Sequence, residues 1–142
     1  SKTSVFSAYG TPVLLLASGI IAAGIGLMIL FAPTVFYSSY GIDIGKNASL
    51  VNELKAPAGA LLLAGLLITA GIFRPGFKMQ SLGISAAVYL SFGLSRILSM
   101  VMDGLPHDGL VSAAAIEVAI GAICFVDLMR HRRLTIAGRN AT

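Results

Sequence analysis

Charge is scarce in this chain. Of 142 residues only 11% are Asp, Glu, Lys or Arg, while 56% are hydrophobic. A soluble domain carries about 25% charged residues, so this chain cannot cover a water-facing surface. That excludes a soluble enzyme, a nucleic-acid-binding domain and a disordered chain. Between Lys2 and Asp43 there is no Asp, Glu, Lys or Arg at all. Cysteine is nearly absent too. Cys124 stands alone in an apolar run, which rules out an intramolecular disulfide and a cysteine metal site and leaves the role of a small core hydrophobe. No G-x-S-x-G, P-loop, HExxH or CxxC occurs, so no familiar catalytic template applies. No cleavable leader is evident either. Its basic region would be Lys2 alone, and the first apolar stretch outlasts a signal core, so it reads as a retained span.

What is present is long apolar runs and a mean hydropathy of +0.89. Residues 11–32 stay apolar for about the 20 residues that cross a bilayer core of ~30 Å. Pro12 suits a first helical turn and Pro33 marks an end. Residues 34–52 mix Phe36, Tyr37 and Tyr40 with polar residues and glycines, the composition of an interfacial loop or short surface helix. A second span opens at Asn52-Glu53-Leu54-Lys55-Ala56-Pro57 and ends before the break Arg74-Pro75-Gly76. The third, about 79–102, is interrupted by Arg96, and a turn-rich loop from Asp103 to Gly109 follows. The fourth, about 110–129, holds Glu117 and closes on Arg130-His131-Arg132-Arg133. The expected fold is an all-α integral membrane four-helix bundle. It forms a single transmembrane domain over 1–142, with spans about 11–32, 54–73, 79–102 and 110–129, an interfacial segment 34–52 and a basic tail 130–142.

The net charge of +4 does not point to nucleic acid. Four of the ten basic residues, Arg130, Arg132, Arg133 and Arg139, lie in the last thirteen positions. This is the pattern of basic flanks beside spans, not of a groove for phosphates. With Lys2 and the Arg74–Lys78 turn on that same side, the positive-inside rule makes both termini cytoplasmic in a bacterial inner membrane. Small residues recur at four-residue spacing (Ala22 and Gly26, Ala60 and Ala64, Gly83 and Ala87, Ala113 and Gly121 around Glu117), which lets helices approach closely in lipid. The pattern fits internal packing or contacts in a homo-oligomer or larger membrane complex.

The awkward charges fall on the other, outer side. Arg96 lies seven residues before Asp103, about 10 Å deep at ~1.5 Å per residue, and Glu117 nine beyond Asp108, about 12 Å deep. The two therefore share a depth. Tyr89, Phe92, Arg96, Ser99 and Asp103 recur every three or four residues along one helix face. A lone charge at such depth costs at least ~2.5 kcal/mol on insertion scales, so Arg96 and Glu117 are expected to pair, with Glu53 as a second carboxylate and Lys55 beside it. Two readings of this pair stand together. It either fixes helix register, as buried ion pairs can, or forms a ligand, proton or substrate site. His107 with Asp103 and Asp108 is weak as a metal site, because one histidine in a Gly/Pro loop is ordinarily exposed, and no metal ligand set is assigned. Asp127 beside Arg130 reads as an interfacial surface pair. Asn47-Ala48-Ser49 and Asn140-Ala141-Thr142 match the glycosylation sequon, which arises readily by chance.

Asn52-Glu53-Leu54-Lys55-Ala56-Pro57-Ala58-Gly59, the LLLAGLL that follows, Ser95-Arg96-Ile97-Leu98-Ser99, Asp103-Gly104 and Glu117 resemble a bacterial family of small four-helix integral membrane proteins, the domain of unknown function of 4345 type. The similarity covers about residues 10–130. That family commonly has an arginine where this chain has Lys55, so the resemblance does not imply bidentate carboxylate binding there. It implies four helices and points to the same polar residues, and it supplies no activity and no cofactor.

Three functions follow as expectations. The first is a binding or accessory subunit, whose outer-side polar pocket (Glu53, Lys55, Tyr89, Phe92, Arg96, Ser99, Asp103, Glu117) takes a lipid-like or small apolar ligand, or which docks on a larger membrane complex. The second is an intramembrane isomerase or lipid-modifying enzyme, with Glu117 or Glu53 as general acid/base and Arg96 as electrostatic stabiliser. The third is a proton-coupled transporter, disfavoured because the charges cluster on one side and no inverted repeat is visible.

Overall fold

The computed structural model describes residues 6–141, so Lys2 and Thr142 lie outside the described residues. It is predominantly helical, with no strand among them. A π-helical turn, Phe6–Gly10, leads into α1, Thr11–Phe31. Then come the short α2, Pro33–Ser38, and the long helices α3, Ala48–Phe73, α4, Lys78–Asp103, and α5, Asp108–Asn140. Four helices are long and apolar enough to cross a membrane, which makes this a multi-pass membrane protein. At ~1.5 Å per residue the 21 residues of α1 reach about 31 Å, one hydrocarbon thickness.

Local chemistry sets the boundaries. Pro12 lies in the first turn of α1, where its missing N–H costs nothing. Pro33 opens α2 in the same way. The second span begins further back than Asn52, because the Asn47 side chain accepts hydrogen bonds from the Ser49 (3.0 Å) and Leu50 (3.2 Å) amides and caps α3 there. Glu53 is thereby moved beyond the first turn, where the helix dipole has faded. Pro57 becomes an interior residue, and its missing N–H leaves the Glu53 carbonyl without the usual partner four residues on. Gly104, at φ 98°, ends α4 in a conformation that side chains avoid. His107 caps α5 through Nδ1, which accepts from the Gly109 amide at 3.0 Å. The basic segment after residue 129 continues α5 as helix as far as Asn140.

The four long helices run antiparallel and pack chiefly as two pairs, α1 with α3 and α4 with α5. Glycine makes both pairs close. A Cβ on Gly26 would stand 2.8 Å from the Ala58 oxygen, and one on Gly65 would stand 2.7 Å from the Gly19 oxygen. In the other pair, a Cβ on Gly93 would lie 3.0 Å from the Val118 nitrogen and one on Gly121 2.8 Å from the Leu90 nitrogen. Ala22 and Gly26 do face this packing, whereas Ala60 and Ala87 point outward. The working small residues of α3 and α4 are Ala58, Gly65 and Gly93.

The two pairs meet most closely at the near end of the bundle, where α1 begins and α3 turns into α4. Leu15, Ile68, Leu82 and Cys124 are fully buried there. Polar cross-links accompany them. Ser81 donates to the Leu67 carbonyl at 3.0 Å, and Ser85 Oγ lies 3.2 Å from Cys124 Sγ. Thr11 Oγ1 donates to Asp127 Oδ2 at 2.6 Å. Asp127, expected as a surface pair with Arg130, is 2% exposed and joins Thr11, Arg130 (2.7 Å) and His131 (3.3 Å) in one buried cluster. The three-residue spacing of Asp127 and Arg130 on one helix could not reveal the partner on α1. Around this interior the outer faces carry exposed Val13, Ile20, Leu63, Leu66, Leu94, Leu98 and Val126, an apolar belt suited to lipid tails.

Candidate functional site

Toward the far end, which carries α2 and the α4–α5 loop, the pairs diverge around a cavity of about 450 Å³. All four long helices line it. Leu54, Pro57, Ala58 and Leu61, at helical spacing, supply the wall from α3; Ile21, Ile25 and Ile29 supply that from α1. Tyr89 stands at its inner limit, where the phenol donates to the Ser18 carbonyl and joins α4 to α1. Below that level lies the sealed core.

The polar feature of the wall is an ion pair. Arg96 Nε meets Glu117 Oε2 at 2.9 Å, with the side chains 33% and 14% exposed. Their equal depth on α4 and α5 follows from antiparallel helices joined by a short loop. Arg96 engages through one nitrogen only. Among the described residues no acceptor meets its two terminal amino groups.

The segment after α1 forms the roof. Phe36, Tyr37 and Tyr40 line the cavity and pack edge-to-face, with Phe36 5.2 Å from Tyr37 and 5.4 Å from Tyr40 between ring centroids. Tyr40 stacks edge-on against His107 at 6.1 Å. It also fills the space beside Gly109, where a Cβ would come within 3.0 Å of its ring. Burial pushes the Tyr37 phenol above its ordinary value of 10.0, and the positive charge of Arg96 acts in the opposite direction.

Of the residues expected at a site, Tyr89, Phe92, Arg96 and Glu117 line one cavity, and Glu53, Lys55, Ser99 and Asp103 do not. Glu53 is exposed, because the α3 face turned inward is that of Leu54 and Leu61. It adds no second carboxylate to the pair. Ser99 donates to Asp103 at 3.0 Å on the exposed end of α4, above the cavity. Sequence reasoning placed Phe36, Tyr37 and Tyr40 at headgroup level and did not see them as a roof, since nothing in their spacing shows that α2 folds back over the bundle. The α1 isoleucines carry no signal either, because that helix is apolar on every side. Among the described residues no three His, Cys, Asp or Glu side chains gather closely enough to hold a metal ion. His107 is occupied as a cap.

Comparison with protein families now adds one finding. The model of the domain of unknown function DUF4345 matches residues 11–128. The chain belongs to the DUF4345 family. The match begins with α1 and stops just before Arg130, so this DUF4345 unit includes all four bundle helices, the roof and the ion pair, and leaves out the basic extension of α5. No curated protein and no solved structure matches the chain significantly.

Proposed function

We propose that this DUF4345 protein is a small ligand-binding or accessory membrane protein that holds a lipid-like or small apolar molecule in its far-end cavity. The supporting observation is the cavity itself, a space of about 450 Å³ walled by aliphatic side chains with one ion pair set in it. Binding sites for small molecules have this character, mostly apolar with few placed polar groups, over a range of about 300–1,000 Å³. The sealed core beneath Tyr89, with Leu15, Ile68 and Leu82 fully buried, favours a one-sided pocket over a path across the membrane. The basic residues Arg74, Lys78, Arg132 and Arg133 gather at the near end, and the positive-inside rule then sets that end in the cytoplasm and the cavity toward the outer face of a bacterial plasma membrane.

Photo-crosslinking tests the reading. A diazirine-bearing single-chain lipid should label peptides that contain Phe92 or Ile116, and Ala113→Phe, which fills the cavity, should abolish that labelling. Labelling spread over the apolar belt and unaffected by Ala113→Phe contradicts it.

A further inference from the structure

The polar end of the cavity narrows the class of ligand, if the pocket reading above holds. Arg96 and Glu117 are one cation and one anion in contact, so the wall is neutral as a unit. A ligand with a net charge would add an uncompensated charge in a low-dielectric space, which is expensive. The pair is not saturated, however. The two terminal amino groups of Arg96 meet no acceptor among the described residues, and the Tyr37 phenol, in the roof of the same cavity, offers another donor. Unused donors thus stand beside an unused acceptor, Glu117 Oε1, which no hydrogen bond reaches among the described residues. An oxygen-rich but uncharged head group, an ester, carbonyl or hydroxyl, satisfies them without disturbing the charge balance.

The body of the ligand is equally constrained. The cavity of about 450 Å³ admits one hydrocarbon chain rather than the two chains of a phospholipid. Access runs from the side. Ile21 on α1 and Ile116 on α5 both line the cavity and are 38% and 54% exposed, and α1 and α5 make few contacts with each other. This seam opens to the lipid tails. We propose that the cavity binds an uncharged single-chain lipid with an oxygen-bearing head group, seated with its head at Arg96 and Tyr37 and its chain between α1 and α5.

The test is a competition between monoolein and oleate, added in equal amounts to the delipidated full-length protein in mildly alkaline micelles where oleate is ionised, with bound lipid read by native mass spectrometry. The wild type should take up monoolein about tenfold in preference to oleate, corresponding to ~1.4 kcal/mol. Glu117→Gln leaves Arg96 with unbalanced positive charge and should reverse the preference. Arg96→Gln leaves Glu117 as a bare anion and should deepen it, which keeps the test alive should Glu117→Gln fail to fold. Oleate bound by the wild type as readily as monoolein, or a ratio unmoved in both variants, overturns the inference while leaving a pocket in place. Neither lipid bound by the wild type removes the pocket reading itself.

Discussion

Two glycines of one helix make opposite predictions. On α3, a Cβ at Gly65 would press on the Ala23 amide nitrogen and stand 2.7 Å from the Gly19 oxygen and 2.8 Å from the Ala23 Cβ. Most of these are backbone atoms of α1 and cannot swing aside, so the helices must separate. Overpacking of this kind costs about 1–3 kcal/mol. At Gly59 nothing lies within 4 Å of an added Cβ, and alanine there restricts the unfolded chain, for a gain of about 0.4–1 kcal/mol. Gly65→Ala and Gly59→Ala should therefore differ by about 1.5–4 kcal/mol in opposite directions from the wild type. Equilibrium unfolding in mixed micelles, followed by far-UV circular dichroism, measures both. Equal stabilities would refute the close α1–α3 approach that holds this helix pair together.

Two further outcomes are expected. Asp127→Ala breaks the buried cluster with Thr11, Arg130 and His131 and should cost about 3–5 kcal/mol, while Thr11→Val, which removes one hydrogen bond to a charged group, should cost about 1.5–3 kcal/mol; a silent Thr11→Val in the same unfolding assay would contradict the tie between α1 and α5. The Tyr37 phenol, raised by burial, favours the folded state in its neutral form, and that contribution is complete below pH 10.0 and is lost as pH rises through the raised value. Ultraviolet titration should accordingly show a late phenolate component that Tyr37→Phe removes and that Arg96→Ala shifts further upward, since the cation favouring ionisation is gone.

Much of this architecture is written in apolar run length, which responds to the thickness of hydrocarbon and to little else. That is why the four spans could be read directly, and why the depth of Arg96 and Glu117 could be set by counting back from the loop between them. Register within the bundle was less legible. Glu53 belongs to the same polar cluster by position along the chain, but α3 begins at Ala48 and turns Leu54 inward instead. The start of α3 was missed because Asn47 is a cap that also reads as part of a sequon, and its partners are backbone amides. The roof depends on a contact between Tyr40 and His107, residues far apart in sequence with no periodicity to connect them. Asp127 shows the same limit, since its nearest sequence neighbour, Arg130, explains only one of its bonds.

The most direct test of the central claim, that the far-end cavity holds a ligand, is native mass spectrometry of the protein released gently from its own membrane, comparing wild type with Arg96→Ala and Glu117→Gln. The account predicts a reproducible added mass of one small lipid-like molecule on the wild type, reduced or changed in identity in both variants. A bare chain, or an added mass retained unchanged in both, would contradict it.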